Sequence, residues 1–259
     1  MDLQLAGRRA VVTGGSRGIG FAVGRALAAE GAAVALIARN AHGVEEQAAR
    51  LSAETGARVV GIAADTGDDA SVAAMAEAAI SSLGGVDILV NNAAAIMTSA
   101  SGDDRLEEQI NVKVRGYLRC VRALTPGMIE RRWGRVINIA GLAARQTGSV
   151  TGSIRNVAIA AMTKNLADEL GPQGINVTVV HPGATRTESM LQAVEEHAAA
   201  SGRSPAEVER QFADSVSIGR LVEPEEVASV VAFLASPLSV ALNGDAVSAG
   251  GGAKGAIHY

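Results

Sequence analysis

Aromatic side chains are scarce in this chain of 259 residues: three phenylalanines, two tyrosines and one tryptophan, 2% of the total. A core must therefore be assembled from Ala, Val, Leu and Ile, which dominate a hydrophobic content of 48% and suit buried parallel strands and closely packed helices. Cysteine occurs once, at Cys120, which excludes an intramolecular disulfide and a thiolate metal cluster; with helix-like sequence on both sides it reads as a small core residue rather than a nucleophile. No apolar run approaches the ~18 residues of a membrane span. The N-terminal "MDLQLAGRRAVVTGG" carries its basic pair after a short apolar stretch, unlike a signal peptide, so a cytoplasmic protein is expected. Long runs of one charge are also lacking, the 27 acidic and 23 basic residues being interspersed. That argues against a nucleic-acid arm or a membrane-binding face and leaves a small soluble ligand as the expected partner.

What is present is alternation. Short aliphatic runs at 9–13, 33–38, 58–63, 86–90, 135–140, 175–180 and 245–249 are separated by segments with Ala, Leu, Val and charged residues at helical spacing. This is the pattern of βαβ crossovers and predicts an α/β fold, a doubly wound seven-stranded parallel sheet in a single domain. A long helix from about Val150 is expected to stop at Gly171 and Pro172. The segment 187–218, two short polar helices broken by Gly202 and Pro205, reads as a substrate flap.

"VVTGGSRGIG" joins the first strand to the first helix. Its glycines Gly14, Gly18 and Gly20 permit a tight turn and let a pyrophosphate approach the backbone at a helix N-terminus. The Lys-Ser/Thr of a nucleoside-triphosphate loop is absent, which favours a dinucleotide. At the end of the second strand, "LIARN" has Ala38 and Arg39 where a free ribose 2′-hydroxyl calls for an acid. Arg17 and Arg39 are either a pair of cations around a 2′-phosphate, which selects NADP(H), or solvated loop charges; the pairing at two adjacent turns favours the first.

Taken together, "TGGSRGIG", "AADTGD" (with Asp65), "VNNAA" (90–94), "NVKVRG" (with Asn111), "RVINIAG", "VHPGATRT" (180–187) and "EPEEVASVVAFLAS" (223–236) resemble, in order and spacing, the short-chain dehydrogenase/reductase family over essentially the whole chain. The resemblance implies a Rossmann-type domain. It also implies a cofactor site of Gly14, Ser16, Arg17, Gly18, Ile19, Gly20 and Arg39, with Asp65 and Thr66 at the adenine, Asn91 and Ala93 on the ribose side, and Pro182, Gly183, Thr185 and Thr187 around the nicotinamide amide. A homotetramer built through helices around 103–131 and 150–171 is implied as well.

Members of this family usually move hydride between the nicotinamide and a carbonyl or alcohol carbon, with a tyrosine as proton donor, a lysine four residues later and an upstream serine. That spacing puts phenol and ammonium on one helix face, and the cation brings a group of pKa ~10 towards working pH. Aligned on "AIAAMTKNLADEL", this chain has Gly152 in the tyrosine place and Asn156 in the lysine place, and Ala140 and Gly141 where the serine belongs. Asn111, Asn156 and His181 remain as catalytic candidates. Asn111 either joins a relay or satisfies backbone groups at a helix kink, Asn156 can hydrogen-bond a ribose hydroxyl, and His181 either relays protons or packs in the "HPG" turn. The expected function is an NADP(H)-binding oxidoreductase with a non-standard proton relay; a non-redox enzyme or an inactive cofactor-binding protein is the alternative. Gly152 and Asn156, read as lying on an open helix face, predict a wide, wet space beside the nicotinamide.

Overall fold

The computed structural model describes residues 1–94 and 105–255. Residues 103 and 104 of the first expected interface helix lie outside these. Seven strands, β1 (Arg9–Thr13), β2 (Ala33–Ala38), β3 (Val59–Ala63), β4 (Ile88–Asn91), β5 (Gly134–Ile139), β6 (Ile175–Pro182) and β7 (Ala246–Ala249), form one sheet in the order β3-β2-β1-β4-β5-β6-β7. Every neighbouring pair is parallel. This is the doubly wound, single-domain Rossmann-type architecture, and the chain order reverses between β1 and β4, where such sheets open a crevice at their C-terminal ends.

Side-chain alternation along the strands sorts the core into two layers. Val12, Val34, Leu36, Ile88 and Val90 point to the face covered by α1 (Gly18–Ala29), α2 (Ala41–Thr55) and α9 (Pro224–Ala235). Val11, Ala35, Ile37, Leu89, Val136 and Val177 point to the face covered by α3 (Asp69–Leu83), α5 (Gly116–Glu130) and α6 (Val150–Leu170). Cys120 is fully buried in this second layer, and burial pushes its thiol up to about 12, as fits a packing residue.

Strands β3, β5 and β7 differ from the expected ranges by a single residue at an end, β4 and β6 by two. β4 starts at Ile88 rather than 86; just before it Asp87 accepts from the Arg9 guanidinium at 2.6 and 2.8 Å. β6 runs on to Pro182, because His181 and Pro182 still pair with Ser248 and Ala249 of β7. α6 does end before Gly171, but Gly171 is right-handed; the left-handed stop is Gly174 (φ 85°), after one 3-10 turn. Between α4 (Leu106–Gln109) and α5 the helix widens into a π-turn, Ile110–Arg115. α7 (Glu188–Ser201) and α8 (Pro205–Asp214) follow β6, each capped at its start by a hydroxyl, Thr187 and Ser204. No helix among the described residues is long and apolar enough to cross a membrane.

Candidate active site

A cleft of about 750 Å³ lies across the C-terminal ends of the strands. One end is built on glycine. A Cβ on Gly20 would sit 2.2 Å from the Gly14 carbonyl oxygen, and one on Gly14 would sit 2.8 Å from Asn92 Nδ2; Gly14 and Gly18 also have positive φ. The turn is thus folded onto itself as tightly as the chain permits, leaving the first N–H groups of α1 facing the cleft. This arrangement fits a dinucleotide pyrophosphate.

The cleft brings together Gly14, Ser16, Arg17, Gly18 and Ile19 of the glycine turn, Arg39 after β2, Asp65 and Thr66 after β3, Ala93 after β4, and Pro182, Gly183, Thr185 and Thr187 after β6. Gly20 lies behind the turn rather than on the cleft wall. Four other expected site residues are also absent from that wall. Asn91 is fully buried and donates from Nδ2 to Asn138 Oδ1 at 3.0 Å, inside the sheet; its neighbour Asn92 lines the cleft, donating to the Thr13 and Gly14 carbonyls at 3.1 and 3.2 Å. The strand end makes the difference: Asn91 is the last residue of β4 and stays inside the sheet, whereas Asn92 follows it at the mouth of the cleft. Asn111 donates to the Gly67 carbonyl at 3.0 Å, tying the π-turn to the loop after β3. His181 is buried, with Nδ1 2.9 Å from the Gly141 carbonyl oxygen.

Asn156, the fourth, corrects the open-face expectation. Gly152 and Asn156 are both buried. Asn156 donates from Nδ2 to the Gly152 carbonyl at 2.9 Å and abuts Gly141, where an added Cβ would meet its Nδ2 at 3.3 Å. A Cβ on Gly152 would meet Ser149 Oγ at 2.8 Å and the Ala143 Cβ at 3.5 Å. The space two long side chains would occupy is taken up by the loop after β5, a 3-10 turn of Leu142–Ala144 followed by the Ser149 cap, which accepts from Gly152 N at 3.0 Å. The loop is built from small residues and settles onto the helix, so this face of α6 is covered rather than open.

Lys113 is the residue the sequence reading passed over. It comes from the π-turn, is 4% exposed, lines the cleft beside Val112, Ala140 and Gly141, and donates to the Ala140 carbonyl at 3.0 Å. Burial, and then the like charge of Arg155, push its ammonium down to about 7. Tyr117 lies next to it, with its ring 5.9 Å from Lys113 Nζ and its hydroxyl donating to the Ile139 carbonyl at 2.9 Å; burial drives that phenol upward, away from acid–base use. Arg155 donates to Gln109 Oε1. Around this corner several buried polar atoms lack a partner among the described residues: Asn156 Oδ1, Gln109 Nε2 and Arg155 Nε. A second cavity, about 570 Å³, adjoins the cleft at Pro182, Gly183 and Ala184 and extends under α8, between Leu142, Phe212 and Val216 with His197 and Gln211 at its wall.

A family model described as Enoyl-(Acyl carrier protein) reductase matches residues 14–254. The chain belongs to the short-chain dehydrogenase/reductase family of NAD(P)-dependent oxidoreductases. In particular it is similar to the short-chain reductase protein NovJ of Streptomyces niveus, 35% identical over 247 residues that span 94% of this chain and 92% of that one. It is likewise similar to the 3-oxoacyl-(acyl-carrier-protein) reductase FabG of Pseudomonas aeruginosa, 34% identical over 256 residues, 96% and 98% of the two chains. Among solved structures, L-sorbose reductase from Gluconobacter frateurii, complexed with NADPH and L-sorbose, has a TM-score of 0.92 at 31% identity, over 99% of this chain and 100% of that one.

Proposed function

We propose that the protein is an NADP(H)-dependent carbonyl reductase whose proton relay differs from the family's usual one. The observation that carries this reading is the junction of two cavities over Pro182–Ala184, one floored by a glycine turn and the other walled by Leu142, Phe212 and Val216. Pro182, Gly183 and Ala184, which line both cavities, would hold the nicotinamide end of the cofactor, which would supply the hydride, and the second cavity would hold the carbonyl substrate. Arg17 and Arg39 would hold the 2′-phosphate, beside Ala38, where no carboxylate would repel it. Asp65 and Thr66 hold the adenine, and Thr185 and Thr187 the carboxamide. Residues 187–218 form a flap: α7 walls the cofactor cleft through Ser189, Met190 and Ala193, and α8 walls the substrate cavity. The relatives named for acyl and sugar substrates put carbonyl compounds first in the search.

A fluorescence titration tests the cofactor choice. NADPH is expected to bind at least tenfold more tightly than NADH, and Arg39→Ala to erase that preference, since a charge-assisted phosphate contact contributes roughly 1.5–3 kcal/mol. Equal affinities in the unaltered protein sink the NADP(H) assignment. For the reaction, a panel of 3-oxoacyl thioesters, quinones and keto sugars is followed by NADPH absorbance and product mass together. Product formed without NADPH oxidation would instead mark non-redox chemistry on this scaffold.

A further inference from the structure

We propose that Lys113, delivered from the π-turn between α4 and α5, is the proton donor of this site, in place of any group on α6. The inference rests on the carbonyl-reductase reading above. Its first support is geometric: α6 presents only Gly152 and Asn156 at this end of the cleft, both sealed under the loop after β5, whereas Lys113 reaches the cleft wall at the C-terminal end of β5. The π-turn makes that possible. Its extra residue per turn rotates Lys113 inward, while Asn111, two residues earlier, is left holding Gly67.

The second support is that Lys113 has nothing structural that requires a charge. Among the described residues no carboxylate pairs with it, and one carbonyl uses one of its three N–H donors. The charged and titratable groups beside it are Tyr117 on α5 and Arg155 on α6; Arg115, on its own turn, is exposed and acts on Asp69, and His181 on β6 faces Gly141. None of these neutralises it. An ammonium buried without a counter-ion costs stability, and a fold that keeps one at the wall of a cleft holds a group that gives up a proton readily. The orphaned Asn156 Oδ1, Gln109 Nε2 and Arg155 Nε lie on the two helices flanking it, leaving hydrogen-bonding capacity for a polar ligand or water at this corner.

In the step assigned to it, the substrate C=O π bond opens as its carbon receives the hydride. The oxygen takes a proton from Lys113 Nζ, one N–H bond of the ammonium breaks, and the amine left behind recovers its proton from water. Oxidation of an alcohol is the reverse, with the neutral amine as acceptor. Arginine cannot serve, because it holds its proton throughout.

The chain has three lysines, Lys113, Lys164 and Lys254, so protein labelled with ¹³C-lysine gives three Cε signals, and Lys113→Met identifies one. That signal is expected to titrate near neutral pH and to move when NADPH saturates the protein, with binding followed separately by fluorescence. Lys113→Met is near-isosteric and removes a buried charge, so it should fold. It is expected to keep NADPH affinity within about threefold while kcat falls 10²–10⁴-fold, and the acid–base limb near neutral pH should vanish from the rate profile. Lys113→Arg should be equally impaired. The proposal is overturned if Lys113 titrates above pH 9, if its signal ignores bound NADPH, or if Lys113→Met turns over normally. Failure of the unaltered protein to bind NADPH would instead strike the carbonyl-reductase reading itself, and the donor role with it.

Discussion

A methyl group on Gly20 would lie 2.2 Å from the Gly14 carbonyl oxygen, a backbone atom that cannot yield without moving the turn, and 2.5 Å from Asn92 Nδ2. Gly20→Ala is therefore expected to cost about 1–3 kcal/mol of stability, seen as a lower urea midpoint, and to weaken NADPH binding at least tenfold. A variant that binds as well as the parent would show that the turn is not the cofactor cradle. These glycines were readable from the sequence because their spacing alone states a backbone requirement. Lys113 was not read, although a signal existed: with Tyr117, Val121 and Leu124 it lies on the apolar stripe of a helix, where a charge is out of place. What the sequence could not give is the π-turn, which decides that Lys113 and not Asn111 faces the cleft. Lys113 also has a thermodynamic signature. Its pKa falls from 10.5 to about 7 on folding, so the unfolded chain binds more protons between those values, and stability rises with pH across that window. The stability advantage of Lys113→Met should thus be greatest at and below pH 7 and disappear above about pH 10.

At the scale of elements, strand positions follow from local patterns, and all seven aliphatic runs became strands; the environment of α6 does not. Helical spacing identifies which residues share a face, but what covers that face depends on how the loop of residues 140–149 before α6 settles. Here Ala143 and Ser149 pack over Gly152, and Gly141 packs over Asn156. Restoring the family's residues with Gly152→Tyr and Asn156→Lys accordingly places a phenol where Ser149 Oγ would already meet a Cβ at 2.8 Å. It also adds an ammonium beside the half-buried Arg155. The Ser149 cap, worth about 1 kcal/mol, is lost, and overpacking and charge burial add to the deficit. The double variant is expected to unfold several degrees below the parent by thermal melt and to gain no NADPH affinity. An undiminished melting temperature with tighter NADPH binding would mean that the loop moves aside freely, and that this face of α6 is available to a ligand after all.

For the whole molecule, the opposite edge of α6 leaves unfinished business. Val150, Ile154 and Val157 follow one another at helical spacing and are 60%, 44% and 49% exposed, although the chain has ample core to hide them. Ala161 extends the same stripe, and Lys164 and Asp168 close it with an ion pair at 2.6 Å. A row of branched aliphatic residues facing water along a helix of 21 residues is the arrangement expected of a surface that meets another copy, where a two-fold axis lets the same stripe cover itself. The homotetramer that the family resemblance implies would use this helix. Ile154 sits at the middle of the stripe, and a carboxylate there would face its own symmetry mate across the interface. Ile154→Asp is therefore expected to shift the protein to smaller species in light scattering coupled to size exclusion, while the monomer keeps its fold by circular dichroism. Since Ile154 and Arg155 are adjacent, dissociation should also loosen the corner around Lys113 and lower turnover more than NADPH affinity. If Ile154→Asp leaves the molar mass of the parent unchanged, this stripe is not the subunit interface.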